Sequence, residues 1–208
     1  MPVKSDREYR SMVLEVKEAD NLDERLVQGY ATTFDSPYEL FRTDDYIVRE
    51  VVDSHAFDEC EMDDVIFQYD HEGRVFARRS NGTLDLIPDE NGLLIEADLG
   101  GTTIGRQLYE EIKGGYTTKM SFGFIVGEDA IEEHDENSSR VITRTIKRIT
   151  KLFDVSAVSL PANDQTSISA RKFSDGVIAE FEAERLKAQE IELRKRKLAI
   201  KAKFSERT

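Results

Sequence analysis

The chain has 208 residues, 39% hydrophobic and 34% charged, enough to bury one sizeable domain with an appendage. Its net charge of −13 is concentrated in the body: nine basic and seven acidic residues follow from Phe173 onward, which leaves 20 basic against 35 acidic, or −15, on residues 1–172. Such a body speaks against nucleic-acid binding, which needs clustered Lys and Arg on phosphates, and the absence of any apolar run of roughly 18–20 residues or of an apolar signal region in "MPVKSDREYRS" predicts a cytosolic protein with no membrane partner. Basic protein segments are the more natural partners.

Short strands are predicted from residue 11 to 160. "SMVLEVKEA", "LVQGYATTF", "DYIVREVV", "DVIFQYDH", "TLDLIPDE", "GLLIEADL", "KMSFGFIVG", "RVITRTIKRI" and "KLFDVSAVSL" are rich in β-branched and aromatic residues, and most alternate. "DSP" at 35–37 and "NG" at 81–82 and 91–92 separate several of them, the spacing of an antiparallel sandwich or barrel. Two short helices are expected in between. "DSHAFDEC" offers Asp53 or Ser54 as a cap; "TTIGRQLYEEIKGG" has Thr102 or Thr103 as a cap, Ile104, Leu108 and Ile112 on one face, and glycines at its end. After residue 176 glycine and proline vanish, and Ala, Glu, Lys, Arg and Leu with a loose apolar stripe predict a long helix over 177–208, joined by a linker over 163–176.

Several residues could carry chemistry. Cys60 lies between Glu59 and Glu61, which disfavour its thiolate, so it is not expected to be a nucleophile. His134, in "EEHDENSS", is expected in a polar loop and His55, in "DSHAF", at an exposed helix start; His71 ends "DVIFQYDH" at the rim of the sheet. In "KMSFGFIVG", Met120, Phe122, Phe124 and Val126 share one face, and Ser121 and Gly123 share the other, nearly bare one. A bare face with a hydroxyl suits close packing of another backbone or a substrate lying along the chain. Asp154 sits among apolar neighbours in "LFDVSAV", where an unpartnered carboxylate is costly; it binds backbone, a basic side chain, or a histidine that it orients. A serine is inert at neutral pH unless a base takes its proton, and that base works best when a third group fixes its tautomer. His71, Ser121 and Asp154 can fill those roles.

The succession "DSHAF", "YDHEGRVFARRSNGTLDLIPDENGLLIEADL", "LYEEIKGGYTTKMSFGFIV" and "LFDVSAVSLPAN" resembles the prohead (capsid maturation) proteases of tailed bacteriophages, serine peptidases related to the herpesvirus assemblin fold, over roughly residues 12–171. The resemblance implies a mainly β (α+β) fold, a compact antiparallel β-barrel with flanking helices, here followed by the long C-terminal helix. It implies a protease domain over 1–162 that works without cofactor or metal, with His71 as base, Ser121 as nucleophile and Asp154 as third member; related assemblins use a second histidine, for which His134 is the rival. On this resemblance, Ser121 faces a bound peptide and Gly123 leaves room for its backbone. The implied substrates are the scaffold segment of the major capsid protein and the enzyme itself, inside the assembling prohead in the host cytoplasm, and a homo-oligomer is expected. The tail suits an assembly or targeting role. A silent assembly factor keeping the fold is the alternative, and a metal hydrolase built on His71, Asp70 and Glu72 lacks any recognised ligand spacing.

Overall fold

The computed structural model describes residues 7–16, 25–136 and 139–159, together with scattered positions between 178 and 195. Ten strands dominate: β1 Glu8–Val16, β2 Leu26–Thr33, β3 Tyr38–Arg42, β4 Tyr46–Val52, β5 Ile66–Tyr69, β6 Glu72–Arg78, β7 Leu84–Pro88, β8 Gly92–Asp98, β9 Lys119–Glu136 and β10 Ser139–Val158. One α-helix, α1 Thr103–Lys113, precedes β9. Its start is the expected one, Thr102 Oγ1 accepting from the Gly105 amide at 3.0 Å, and it buries Leu108, Tyr109 and Ile112.

The strands form one sheet in the order β3-β4-β10-β9-β1-β2-β8-β7. β1 is the hinge of this order: its first part pairs with β9 from Glu8↔Phe124 to Val13↔Lys119, and its last three residues pair with β2. The outer edge of β10 is taken in succession by two parallel neighbours, β4 along Arg140–Ile146 and β5 along Asp154–Ala157, and β6 pairs only with β5. The closed barrel expected from the resemblance is therefore not what the described residues form. Closure needs the terminal strands of the order to pair, whereas β3, β6 and β7 end as separate edges.

Other expectations change locally. "RVITRTIKRI" and "KLFDVSAVSL" form one continuous strand, β10. β3 and β6 lie outside the strands predicted from the sequence pattern. "DSHAFDEC" is a series of turns, not a helix, its amides closing back onto Asp53, His55 and Phe57. "EEHDEN" is no loop through residue 136: the β9–β10 hairpin runs on, with His134 opposite Val141. The long C-terminal helix falls almost wholly outside the described residues and is not seen as an element among them; Ile178 alone of that stretch is seen against a core, the small cluster of Leu40, Tyr46, Val48 and Ile142. The main core gathers Phe67, Phe122, Phe124, Met120, Ile149, Leu152 and Val155 with β2, β8 and α1. Among the described residues no helix is long and apolar enough to cross a membrane.

Candidate functional site

The site is assembled on β9 and β10 where they run side by side. Along β9, Met120, Phe122 and Phe124 are wholly buried in the main core, as the alternation predicts, so Ser121 and Gly123 face away from it. Strict alternation along β10 would put Asp154 on the same face as Leu152, in that core. A bulge prevents this. The register passes from Leu152↔Phe124 to Asp154↔Gly123, leaving Phe153 as the extra residue, and beyond it Val155 and Ala157 point into the core while Asp154 and Ser156 point to the face of Gly123 and Ser121. Ser156 is the direct partner of Ser121.

His71 comes from the β5–β6 hairpin. Tyr69 pairs with Glu72, so Asp70 and His71 form a two-residue loop, with φ of 49° and 59°. Two consecutive left-handed residues are what a hairpin turn of this length demands, usually of Asn and Gly; for other residues each costs about 1 kcal/mol or more. Asp70 offsets part of that cost, its carboxylate accepting from the Ser159 amide and hydroxyl, each at 2.8 Å. The histidine is thus held in the turn itself rather than at the end of the strand. The parallel pairing of β5 with Asp154–Ala157 brings that turn to β10.

There the His71 Nδ1 is hydrogen-bonded to Asp154 Oδ2. Asp154, 1% exposed, also accepts from Ser156 Oγ at 2.9 Å on the same oxygen and from Arg7 Nη1 at 3.3 Å on Oδ1. The Tyr9 ring stands edge-on to the imidazole with centroids 4.3 Å apart. Two polar atoms in this region, His71 Nε2 and Ser121 Oγ, are buried without a hydrogen-bond partner. Neither atom bonds the other or any further group among the described residues, and leaving a buried polar group unsatisfied costs about 1–3 kcal/mol.

The bare face is not open. Ser121 is 1% exposed, and a methyl group placed on Gly123 would meet Asp154 Oδ1 at 2.6 Å and Tyr9 Cε1 at 2.9 Å. The gap left by Gly123 is therefore filled by this chain's own carboxylate and tyrosine, not kept for a peptide backbone. His134 lies on the exposed hairpin arm, its Nε2 3.8 Å from Glu136, and His55 bonds Asp58 at 3.0 Å on the surface; neither belongs to this cluster. Burial pushes the Cys60 thiol up to about 11, in keeping with an inert cysteine. Ser156 could have been foreseen, since "DVS" places it two residues from Asp154 on the same face. Arg7 and Tyr9 could not, because only the β1–β9 register brings them over Gly123.

A family model described as Caudovirus prohead serine protease matches residues 12–178. No significant match was found among curated proteins or among solved structures.

Proposed function

Because the chain belongs to the Caudovirus prohead serine protease family, we propose that it is an endopeptidase that cleaves the scaffold segment of the major capsid protein, and itself, within the assembling prohead. The observation that carries this reading is that His71, with Nδ1 bound to Asp154, keeps a buried and unpartnered Nε2, while Ser121, on the strand face that Asp154 shares, keeps a buried and unpartnered Oγ. With Nδ1–H donated to the carboxylate, Nε2 is the basic nitrogen. It takes the proton from Ser121 Oγ as the oxygen attacks the scissile carbonyl, and gives that proton to the leaving amine as the tetrahedral intermediate collapses to an acyl-enzyme. Water, deprotonated by the same nitrogen, then releases the acid and returns the proton to Ser121. Asp154 stays ionised throughout and stabilises the imidazolium formed in each half.

The burial of Ser121 supports an enzyme that is latent as folded and opens to a peptide on assembly. Residues 163–176 act in this scheme as a cleavable linker and 177–208 as an assembly segment, and the acidic body suits basic partner sequences. Mass spectrometry of the purified chain and of Ser121→Ala, each with and without capsid protein, tests the proposal. Fragments of scaffold or tail from the native chain alone support it. Intact spectra for both, with assembled shells present, leave the silent assembly factor as the better reading. Cleavage abolished by a chelator instead would point to a metal hydrolase.

A further inference from the structure

The third member of the proposed site is a carboxylate that is almost fully buried and holds the base, His71, through Nδ1 and Oδ2. The chain places a cation on the opposite oxygen. Arg7 Nη1 lies 3.3 Å from Asp154 Oδ1, and its guanidinium stacks 3.8 Å over the ring of Phe153, the residue extruded by the bulge that turns Asp154 into the site. The same nitrogen is 3.5 Å from the Tyr9 hydroxyl, and Tyr9 is the side chain set against His71. Arg7 and Tyr9 both precede the residues matched by the family model, so the family assigns them nothing.

We propose that Arg7 is a positioning residue of the site: seated on Phe153 and paired with Asp154 Oδ1, it fixes the carboxylate so that Oδ2 stays on His71 Nδ1. The purpose of that placement rests on the serine-protease reading. Among the described residues, the other charged groups around the pair are accounted for. Asp70 is engaged by Ser159, and Glu72 is exposed. On β10, Lys151 is paired with Glu61 and lies 5.3 Å from the Phe153 ring centroid. On β1, Glu8 is bound by Arg10 and Arg144 instead. Arg7 is the cation that contacts Asp154 itself.

The test compares the full chain with Arg7→Met, which keeps the stem over Phe153, and with Arg7→Lys, which keeps the charge. In ¹⁵N-histidine spectra recorded in the Ser121→Ala background, which prevents self-cleavage, the downfield Nδ1–H proton of His71 that marks its bond to Asp154 should be lost or broadened in Arg7→Met and retained in Arg7→Lys. In the chain with Ser121 intact, self-cleavage should slow by about 10-fold or more in Arg7→Met and recover most of that in Arg7→Lys. An unchanged Nδ1–H signal in Arg7→Met, with the fold intact by circular dichroism, would overturn the assignment. Loss of cleavage on Ser121→Ala with no effect of Arg7→Met would leave the protease reading standing and this inference refuted; an altered Nδ1–H signal in a chain that cleaves as well without Ser121 would do the reverse.

Discussion

Two polar clusters are buried between the same strands, and they are built on opposite principles. Around Glu50, which is wholly buried, Arg10 donates from Nε at 2.5 Å and from Nη2 at 2.6 Å, Arg144 from Nη1 at 3.1 Å, and the Tyr38 hydroxyl also bonds the carboxylate. Arg10 and Arg144 spend their remaining donors on Glu8, Asp129 and the Tyr9 carbonyl. Around Asp154, some residues away along β1, β9 and β10, the network stops short: the carboxylate is satisfied, but His71 Nε2 and Ser121 Oγ face no partner. Buried charge is tolerated only when it is paired, so the first cluster is complete because it must be. The second leaves one nitrogen and one hydroxyl open, the two atoms that the proposed chemistry uses. The clusters thus differ not in burial or charge but in whether every donor and acceptor is taken.

The widest separation of the two clusters is expected from Ser121→Ala and Asp154→Asn. Each should lower cleavage by about 10⁴-fold or more, the first by removing the nucleophile and the second by favouring the wrong histidine tautomer. Ser121→Ala should at the same time leave stability to urea unchanged or raise it by up to about 1 kcal/mol, since it removes a buried hydroxyl that bonds nothing. A cleavage rate unaffected by Ser121→Ala would erase the contrast. Glu50→Ala should behave in the opposite sense. It strands Arg10 and Arg144 against each other and should cost about 3–5 kcal/mol in urea denaturation, while the molecules that remain folded cleave at close to the native rate.

Gly123→Ala falls between these. The added methyl would press on Asp154 Oδ1 and Tyr9 Cε1, both held by other contacts, so the carboxylate must shift by several tenths of an ångström. Cleavage should fall by about 10²-fold, from the misplacement of a third group, with a stability loss of about 1–2 kcal/mol. Equal activity of Gly123→Ala and the native chain would mean that Asp154 need not stand where the bulge puts it.

How much of this was legible beforehand depended on whether the signal was local. The core face of β9 followed from period-two alternation in "KMSFGFIV", and α1 from a threonine cap and an apolar stripe. His71, Ser121 and Asp154 stood out as residue types at odds with their surroundings. Their mutual placement did not, because it depends on features with no local pattern: the bulge at Phe153, which reverses the alternation of β10, and a parallel β5–β10 pairing between segments more than 80 residues apart. The barrel was overread for a related reason. Strand spacing announces an all-β protein, but closure is decided by which edges pair, and β10 gives its outer edge to β4 and β5 in turn. The Glu50 cluster passed unnoticed because Arg and Glu in β1 and β4 read as an ordinary polar face until the partners are seen.

The finest expected effect concerns Glu8, the most exposed acid bound to both arginines of the saturated cluster. Burial alone would raise its pKa, but hydrogen bonding to Arg144 and the charges of Arg10 and Arg144 outweigh that and hold it below its ordinary 4.5. A carboxylate whose pKa is lower in the folded chain contributes stability that is fully present above its unfolded pKa and is lost as pH falls through the folded value. Stability should therefore begin to decline near pH 4.5, and Glu8→Gln should remove that contribution: the variant should be weaker than the native chain at neutral pH by about 1 kcal/mol, and the gap should narrow below about pH 4. Urea midpoints between about pH 3 and 7 would measure it. A gap of constant size would assign the loss to packing rather than charge, and cleavage should be the same in both chains, because Glu8 pairs with Arg10 and Arg144 and not with the Asp154 cluster.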